Sequence, residues 1–254
     1  MTGSMPLRRS KIPFSCILIA LVSLLGCSTY VTPGAGAKLA DLSQTSWDIE
    51  KALTRKPAAA FPARLAVVRV QASGYRSYGN QGYGTGKYSI VTTRDIEEEK
   101  DFDRIKNFPM VAGVATMNRL LLPANLDSDM PLRQAAASLQ ADMLLLYTLD
   151  TSFHIDETNL GPFSVITLGF LPNKEAIVTA TASAVFYDVR TGFVYGLAES
   201  TAREQQRANV WTTQSAIDNS RLAAEKKAFE QLLDELSKTW KGVTEQHAGR
   251  KSAS

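Results

Sequence analysis

The chain has 254 residues, is 44% apolar and carries a formal charge of +3. Arg8, Arg9 and Lys11 account for that surplus. With those three set aside from the 28 Lys+Arg, 25 face 25 Asp+Glu, so the basic footprint that nucleic-acid binding requires is missing. Both cysteines, Cys16 and Cys27, sit near the amino terminus, which leaves the rest of the chain no thiolate nucleophile, disulfide or cysteine-based zinc site.

The basic residues precede an apolar run of 14 residues, IPFSCILIALVSLL (12–25). Secretory leaders carry about 7–15 residues there and a membrane-spanning helix needs about 20, so 1–26 reads as a signal peptide. Leu24-Leu25-Gly26-Cys27 resembles the bacterial lipobox. The resemblance implies cleavage between Gly26 and Cys27, diacylglycerol (palmitate-type) chains on the Cys27 sulfur, and acylation of the new amino terminus. One acyl chain holds a membrane only marginally, at about 0.8 kcal/mol per buried methylene, whereas two or more anchor stably. Ser28 follows the cysteine where Asp would retain the protein at the inner membrane, so the enteric sorting rule implies the periplasmic face of the outer membrane. STYVTPGAGAKLA (28–40) has the small, polar, Gly/Pro-containing composition of a linker. A lipidated tether is therefore expected over 27–40, one periplasmic domain over 41–242, and a polar disordered tail over 243–254.

Residues 41–54 offer Leu42, Trp47, Ile49 and Leu53 to one face of a first helix, ended by Pro57 and Pro62. RLAVVRVQA (64–72) alternates at period two and predicts a strand. A Gly/Tyr-rich stretch (74–86) precedes a second strand, KYSIVTT (87–93). The charged run 94–107 predicts a helix on the solvated side, and VAGVATMNRLLLP (111–123) a strand in its second half. LRQAAASLQAD (132–142) reads as a helix by its alanines and its Leu132, Ala135, Ala136, Leu139 stripe.

MLLLYTLDTSFHID (143–156) keeps its odd positions apolar, while its even ones change from Leu144 and Leu146 to Asp150, Ser152 and His154. Such a strand starts buried on both faces and ends with one face wet, as expected mid-sheet. Residues 176–189 and 193–201, joined by Arg190-Thr191-Gly192, predict a hairpin. Residues 214–242 predict a long amphipathic helix with Leu222, Phe229, Leu232, Leu233, Leu236 and Trp240 at helical spacing. The order gives an α/β (α+β) domain with a single mixed sheet, flanking helices and a long carboxy-terminal helix.

Three segments carry a family resemblance: ARLAVVRV (63–70), LRQAAASLQADMLLLYTLDTSF (132–153) and DVRTGFVYG (188–196). An alanine-rich helix leads into Ala141-Asp142 and a hydrophobic strand, and a later strand ends in Asp188-Val189-Arg190-Thr191-Gly192. The pattern resembles the CsgG-type domain of curli secretion and the amino-terminal domain of TolB, a fold shared by lipoproteins that activate penicillin-binding proteins. The chain as a whole is also similar to an uncharacterised proteobacterial lipoprotein family. The shared motifs mark fold rather than chemistry, and fold does not transfer function. The lipobox, these segments and the lack of a catalytic constellation in the sequence together lead to the expectation of a non-enzymatic envelope adaptor or assembly factor with an envelope protein partner. The alternative that the resemblance implies is an oligomeric secretion or pore subunit built from copies of the chain. The hairpin could line a pore, since membrane strands alternate over about 9–11 residues, but it lacks an aromatic girdle.

Candidate sites are few. Asp150, Ser152, His154 and Asp156 share one strand face, but neighbours at i and i+2 lie about 6.5–7 Å apart, and a nucleophile needs its base at about 2.6–3.2 Å. No second His or Cys is near enough in sequence to complete a metal set. GYGTGKYS (82–89) misses the phosphate-loop pattern at Gln81 and Tyr88. The same stretch supplies Tyr75, Tyr78 and Tyr83 on glycine-rich backbone, an adaptable binding loop of the kind found in paratopes. No catalytic residue, metal ligand or cofactor is assigned. The assigned sites are Cys27, the Gly26–Cys27 cleavage point and the tyrosine loop.

Overall fold

The computed structural model describes residues 35–38, 42, 49–157, 174–208 and 214–249. The leader, Gly26, Cys27 and most of the tether lie outside these residues. Strands β1 (Ala63–Ala72), β3 (Tyr88–Val91), β4 (Val111–Thr116), β6 (Met143–Glu157), β7 (Lys174–Asp188) and β8 (Val194–Ala208) form a six-stranded sheet in the order β3-β1-β6-β7-β8, with β4 also on β1. β2 (Thr85–Gly86) and β5 (Asn125–Leu126) pair separately. β1 runs parallel to β4 and β6, while β3–β1 and β6–β7–β8 are antiparallel. The sheet is therefore mixed, as its sequence pattern predicts.

Helices cover both faces. The odd positions of β1 and β6, including Leu65, Val67, Met143, Leu145 and Tyr147, pack with α2 (Glu99–Lys106) and α4 (Gln214–His247). The even positions, including Ala66, Val68, Val70, Leu144 and Leu146, pack with α3 (Met130–Ser138), Leu42 and Leu126. α1 (Ile49–Thr54) is short and leaves Ile49 and Leu53 exposed. β6 loses cover along its even face after Leu146, where Asp150, Ser152 and His154 are exposed.

The resemblance motifs are structural devices. α3 ends in a turn that puts Gln140 at φ 56°, with Ala141 N–H donating to Ala136 O at 3.0 Å, a Schellman-type stop. Asp142 then accepts from Arg64 N–H at 2.9 Å and ties α3 to the start of β1. Asp188 accepts from the backbone N–H groups of Ala58 (2.7 Å), Ala59 (3.0 Å), Arg190 (2.9 Å) and Thr191 (2.9 Å), and from Tyr195 Oη (2.8 Å). Burial pushes its carboxyl up, but these donors outweigh burial and hold it below its ordinary value.

Several expectations change. The strand in 111–123 occupies the first half, Val111–Thr116; Asn118 Oδ1 then accepts from Leu120 N–H at 3.0 Å and caps a 3-10 turn, Arg119–Leu121. The helix in the charged run is not confined to the solvent side, because Phe102 and Ile105 bury one face of α2. The hairpin strands run on to 208, and α4 runs past Gly242 to His247. Val243 is buried, and the His247 ring lies against Phe193 and Tyr195, so the start of the expected polar tail is packed helix.

The described part of the expected linker, residues 35–38, reaches the sheet. β1 and β6 stay paired only as far as Val68 and Leu146. Beyond that point the Gln71 side chain bonds to Leu149 N–H (3.1 Å) and O (3.0 Å), and to Thr148 Oγ1 (2.7 Å). Gly36 bridges Gln71 on the same stretch, and Ala37 N–H donates to Thr148 Oγ1 at 2.8 Å. A Cβ on Gly36 would stand 2.9 Å from that hydroxyl, so a larger residue there would have to displace the Thr148 side chain.

Candidate functional site

The polar centre of the molecule lies where α4 crosses the end of β1. Arg69 faces α4 from β1 and is 2% exposed; Arg221 and Glu225, one turn apart on α4, are each 1% exposed. Arg69 Nη1 pairs with Asp95 Oδ1 at 2.7 Å and with Glu97 Oε1 at 3.6 Å, and Nη2 lies 3.7 Å from Glu225 Oε2. Arg221 pairs with Asp218 (2.8 Å), Glu225 (2.5 Å) and Asp95 (3.8 Å). Tyr147 Oη donates to Glu97 at 2.6 Å, and Thr151 Oγ1 to Glu225 at 2.8 Å. Two guanidinium groups thus meet four carboxylates.

Burial opposes the charge on Arg69, but Glu97 and Asp95 outweigh it and raise its pKa. Burial and the Glu97 carboxylate hold the Tyr147 phenol well above its ordinary value, so it remains a donor. A single-partner truncation in such a cluster leaves uncompensated charge in a low-dielectric setting.

A cavity of about 150 Å³ opens beside this cluster. β4 leaves the edge of β1 at Val67 and β3 joins it at Arg69, so the carboxyl ends of β3 and β4 converge on an unpaired gap. Arg69, Glu97 and Tyr147 line the cavity alongside Val67, Phe102 and Arg94. Arg69 Nε, Asp95 Oδ2 and Glu97 Oε2 are buried within the cluster without a hydrogen-bond partner.

The tyrosine loop is not one surface. Tyr75 is buried, accepts from Arg69 Nη2 at 3.3 Å, and its ring lies 5.7 Å from the guanidinium carbon. Tyr83 is half-buried, donates to Leu122 O at 3.2 Å, and its backbone exchanges hydrogen bonds with Ile90. Tyr78 alone of the three is exposed. Backbone pairing at Arg76–Gln81 and Tyr83–Ile90 folds the glycine-rich stretch back on the sheet. Asp150, Ser152 and His154 stay spread along β6, opposite Thr181, Thr179 and Ile177; the Asp156 side chain lies outside the described residues. Cys27 and Gly26 also fall outside them.

A second feature lies at the far end of the sheet. The apolar face of β7, Val178 to Phe186, is covered by α4. β8 forms the sheet edge over 15 residues. Thr239 Oγ1 on α4 donates to Leu197 O at 3.3 Å, so that carbonyl points away from β7. N–H and C=O alternate sides together along an antiparallel strand. Glu199, Thr201, Arg203 and Gln205 therefore aim their backbone groups outward, and no strand among the described residues pairs with them. Among those residues, too, no helix is long and apolar enough to cross a membrane.

No family model and no curated protein matches the chain. Solved structures with a similar path include a minor lipoprotein of Acinetobacter baumannii, 11% identical, covering 71% of this chain and 95% of that one, with TM-score 0.35. A DUF330-family protein of Xanthomonas campestris is 12% identical over 87% of this chain and 100% of that one, with TM-score 0.35. A lipoprotein of Neisseria meningitidis is 11% identical over 64% of this chain and 96% of that one, with TM-score 0.30. At these values the likeness assigns neither family nor role, and a CsgG-type or TolB relationship is not among these matches.

Proposed function

We propose that the chain is a bacterial envelope lipoprotein, anchored through Cys27 to the periplasmic face of the outer membrane, whose domain works as a non-enzymatic adaptor or assembly factor. The observation that carries the adaptor reading is the edge of β8. An unpaired edge is a template for strand addition, in which main-chain bonds give affinity and alternate side chains give selectivity. Glu199 and Arg203 flank Thr201 on the outward-bonding positions, so the partner is an extended segment of an envelope protein with opposite charges in register. The same charges restrain indiscriminate pairing. The lipobox supports the anchor.

A CsgG-like ring is the second reading, favoured by one observation: among the described residues β4 pairs only with β1, on the opposite side of the sheet from β8. Pairing β8 of one copy with β4 of the next would be head-to-tail, the contact type that closes into rings. The native mass of the detergent-extracted protein after in-cell crosslinking separates the two. One distinct envelope protein joined to a single copy is the expected result. A large homo-oligomer would replace the adaptor reading with the ring, and Cys27→Ala should abolish either product by releasing the chain from the bilayer.

A further inference from the structure

The turn that carries Tyr78 stands at the end of the sheet where the described tether begins, and the proposed adaptor role does not use it. Ala72, the last residue of β1, donates its N–H to Ala35 O at 3.0 Å, and Gly36 bridges Gln71 in antiparallel sense. Ala35 therefore lies at the carboxyl end of β1. Tyr75 N–H donates back to Ala72 O at 3.2 Å, so the turn starts from the same residue. Its backbone is closed on itself. Arg76 bridges Gln81, Ser77 N–H donates to Asn80 O at 2.8 Å, Asn80 N–H to Ser77 Oγ at 3.1 Å, and Gly82 N–H to Tyr75 O at 2.9 Å. Tyr75 and Ser77 bury its base, while Arg76, Tyr78 and Gly79 are exposed, Tyr78 by 52%. No Asp or Glu occurs from residue 51 to residue 94.

We propose that this turn is a second, non-covalent contact with the bilayer: the Tyr78 ring seats among the phospholipid headgroups, and the Arg76 guanidinium meets their phosphates. The proposal rests on the anchor at Cys27. Eight residue steps separate Cys27 from Ala35, and fully extended they reach at most about 29 Å. A domain of about 200 residues has a radius of gyration of about 17 Å and is roughly 40 Å across. The tether is shorter than that width, so the sheet end that holds Ala35 cannot be turned away from the lipid. Tyrosine suits the boundary, with its ring toward the acyl chains and its hydroxyl among the headgroups. A preformed turn loses little conformational freedom on seating. Arg76 adds attraction to anionic lipid, in a stretch of sequence with no carboxylate to oppose it. One ring alone holds a bilayer weakly; the covalent anchor raises its local concentration there and makes the contact persist.

The test uses the lipidated full chain in vesicles of phosphatidylethanolamine and phosphatidylglycerol, with an environment-sensitive fluorophore on Gly79→Cys. A Cβ at Gly79 meets nothing within 4 Å, so the position tolerates the label. The control label, on Arg190→Cys, stands on the exposed hairpin turn beyond Asp188, which pairs with Met143 at the other end of β6. Quenching by headgroup-nitroxide lipid is expected to be several-fold stronger at 79 than at 190, with blue-shifted emission. Tyr78→Ala should bring position 79 down to the level of 190. Arg76→Gln should weaken the quenching in these vesicles and leave it unchanged in uncharged phosphatidylcholine. Both side chains are exposed, so neither variant endangers the fold. A chain that floats with the vesicles, but is quenched no more at 79 than at 190, would overturn the proposal and leave the anchor standing. Quenching at 79 that Tyr78→Ala does not change would overturn it equally. A chain that does not float with the vesicles would overturn the anchor reading itself, and this proposal with it.

Discussion

α4 meets the sheet in two different ways along its length. Its carboxy-terminal half lays Phe229, Leu232, Leu233, Leu236, Trp240 and Val243 on the alanine-rich β7–β8 hairpin. Its amino-terminal half sets Asp218, Arg221 and Glu225 over Arg69 and Asp95. The apolar half gains from every area buried, at about 25 cal/mol per Å², whatever its neighbours are. The ionic half gains only when all its partners are present, since desolvation can exceed the attraction. One half therefore holds the helix down, and the other fixes where β1, the 95–97 segment and the cavity stand.

The largest effects should come from breaking each half separately. Trp240 is fully buried against Phe186, with ring centroids 5.0 Å apart, and its Nε1 donates to Pro109 O at 2.7 Å. Trp240→Ala should cost about 3–5 kcal/mol in denaturant unfolding. Arg69→Met should cost about as much, about 3–5 kcal/mol, by leaving buried carboxylates uncompensated. The contrast sharpens with neutralisation: adding Glu97→Gln and Asp95→Asn to Arg69→Met should recover a large part of that loss, whereas no partner change rescues Trp240→Ala.

A smaller effect is expected at Asp188, which ties the hairpin turn to residues 58–59. Asp188→Asn should cost about 1–3 kcal/mol at neutral pH. Its folded pKa is depressed below the ordinary 3.8, so its contribution is present above that value and lost as pH falls through the folded one. The gap between wild type and Asp188→Asn in unfolding experiments should therefore be full at neutral pH and close progressively once the pH drops below about 4. Least of all, Gly36→Ala should cost about 1 kcal/mol, because Thr148 must move to admit the methyl group; a variant as stable as wild type would show that the 35–38 segment does not hold this position.

Much of the fold was legible because periodicity reports burial. β6, the hairpin and α4 show their periods plainly, and α3 shows its alanines. The misplaced and shortened elements were those whose composition pointed elsewhere: Gly113 and small residues in β4, the polar AREQQRA end of β8, and the Gly/Pro stretch that enters beside Gln71. The ionic cluster joins residues far apart in sequence, so no local motif could announce it. Two signals were present. Arg69 breaks the apolar odd face of Ala63, Leu65 and Val67, and Asp218, Arg221 and Glu225 occupy the stripe that continues as Ala228, Leu232 and Leu236. A charge on a core stripe has to be met by something. The β8 edge was not legible at all, since strand order is a property of the assembled sheet.

The most direct test of the adaptor account is a photoreactive residue placed at Thr201 in the full lipidated chain in cells, with and without Arg203→Pro. Proline at 203 removes only an outward-facing N–H and leaves the β7 ladder intact; Ala202→Pro, which removes an inward one, is the contrasting variant. The account predicts a single discrete heterologous adduct from position 201 that Arg203→Pro abolishes without a large drop in Tm. No adduct from position 201, or an adduct that persists in Arg203→Pro, would contradict it.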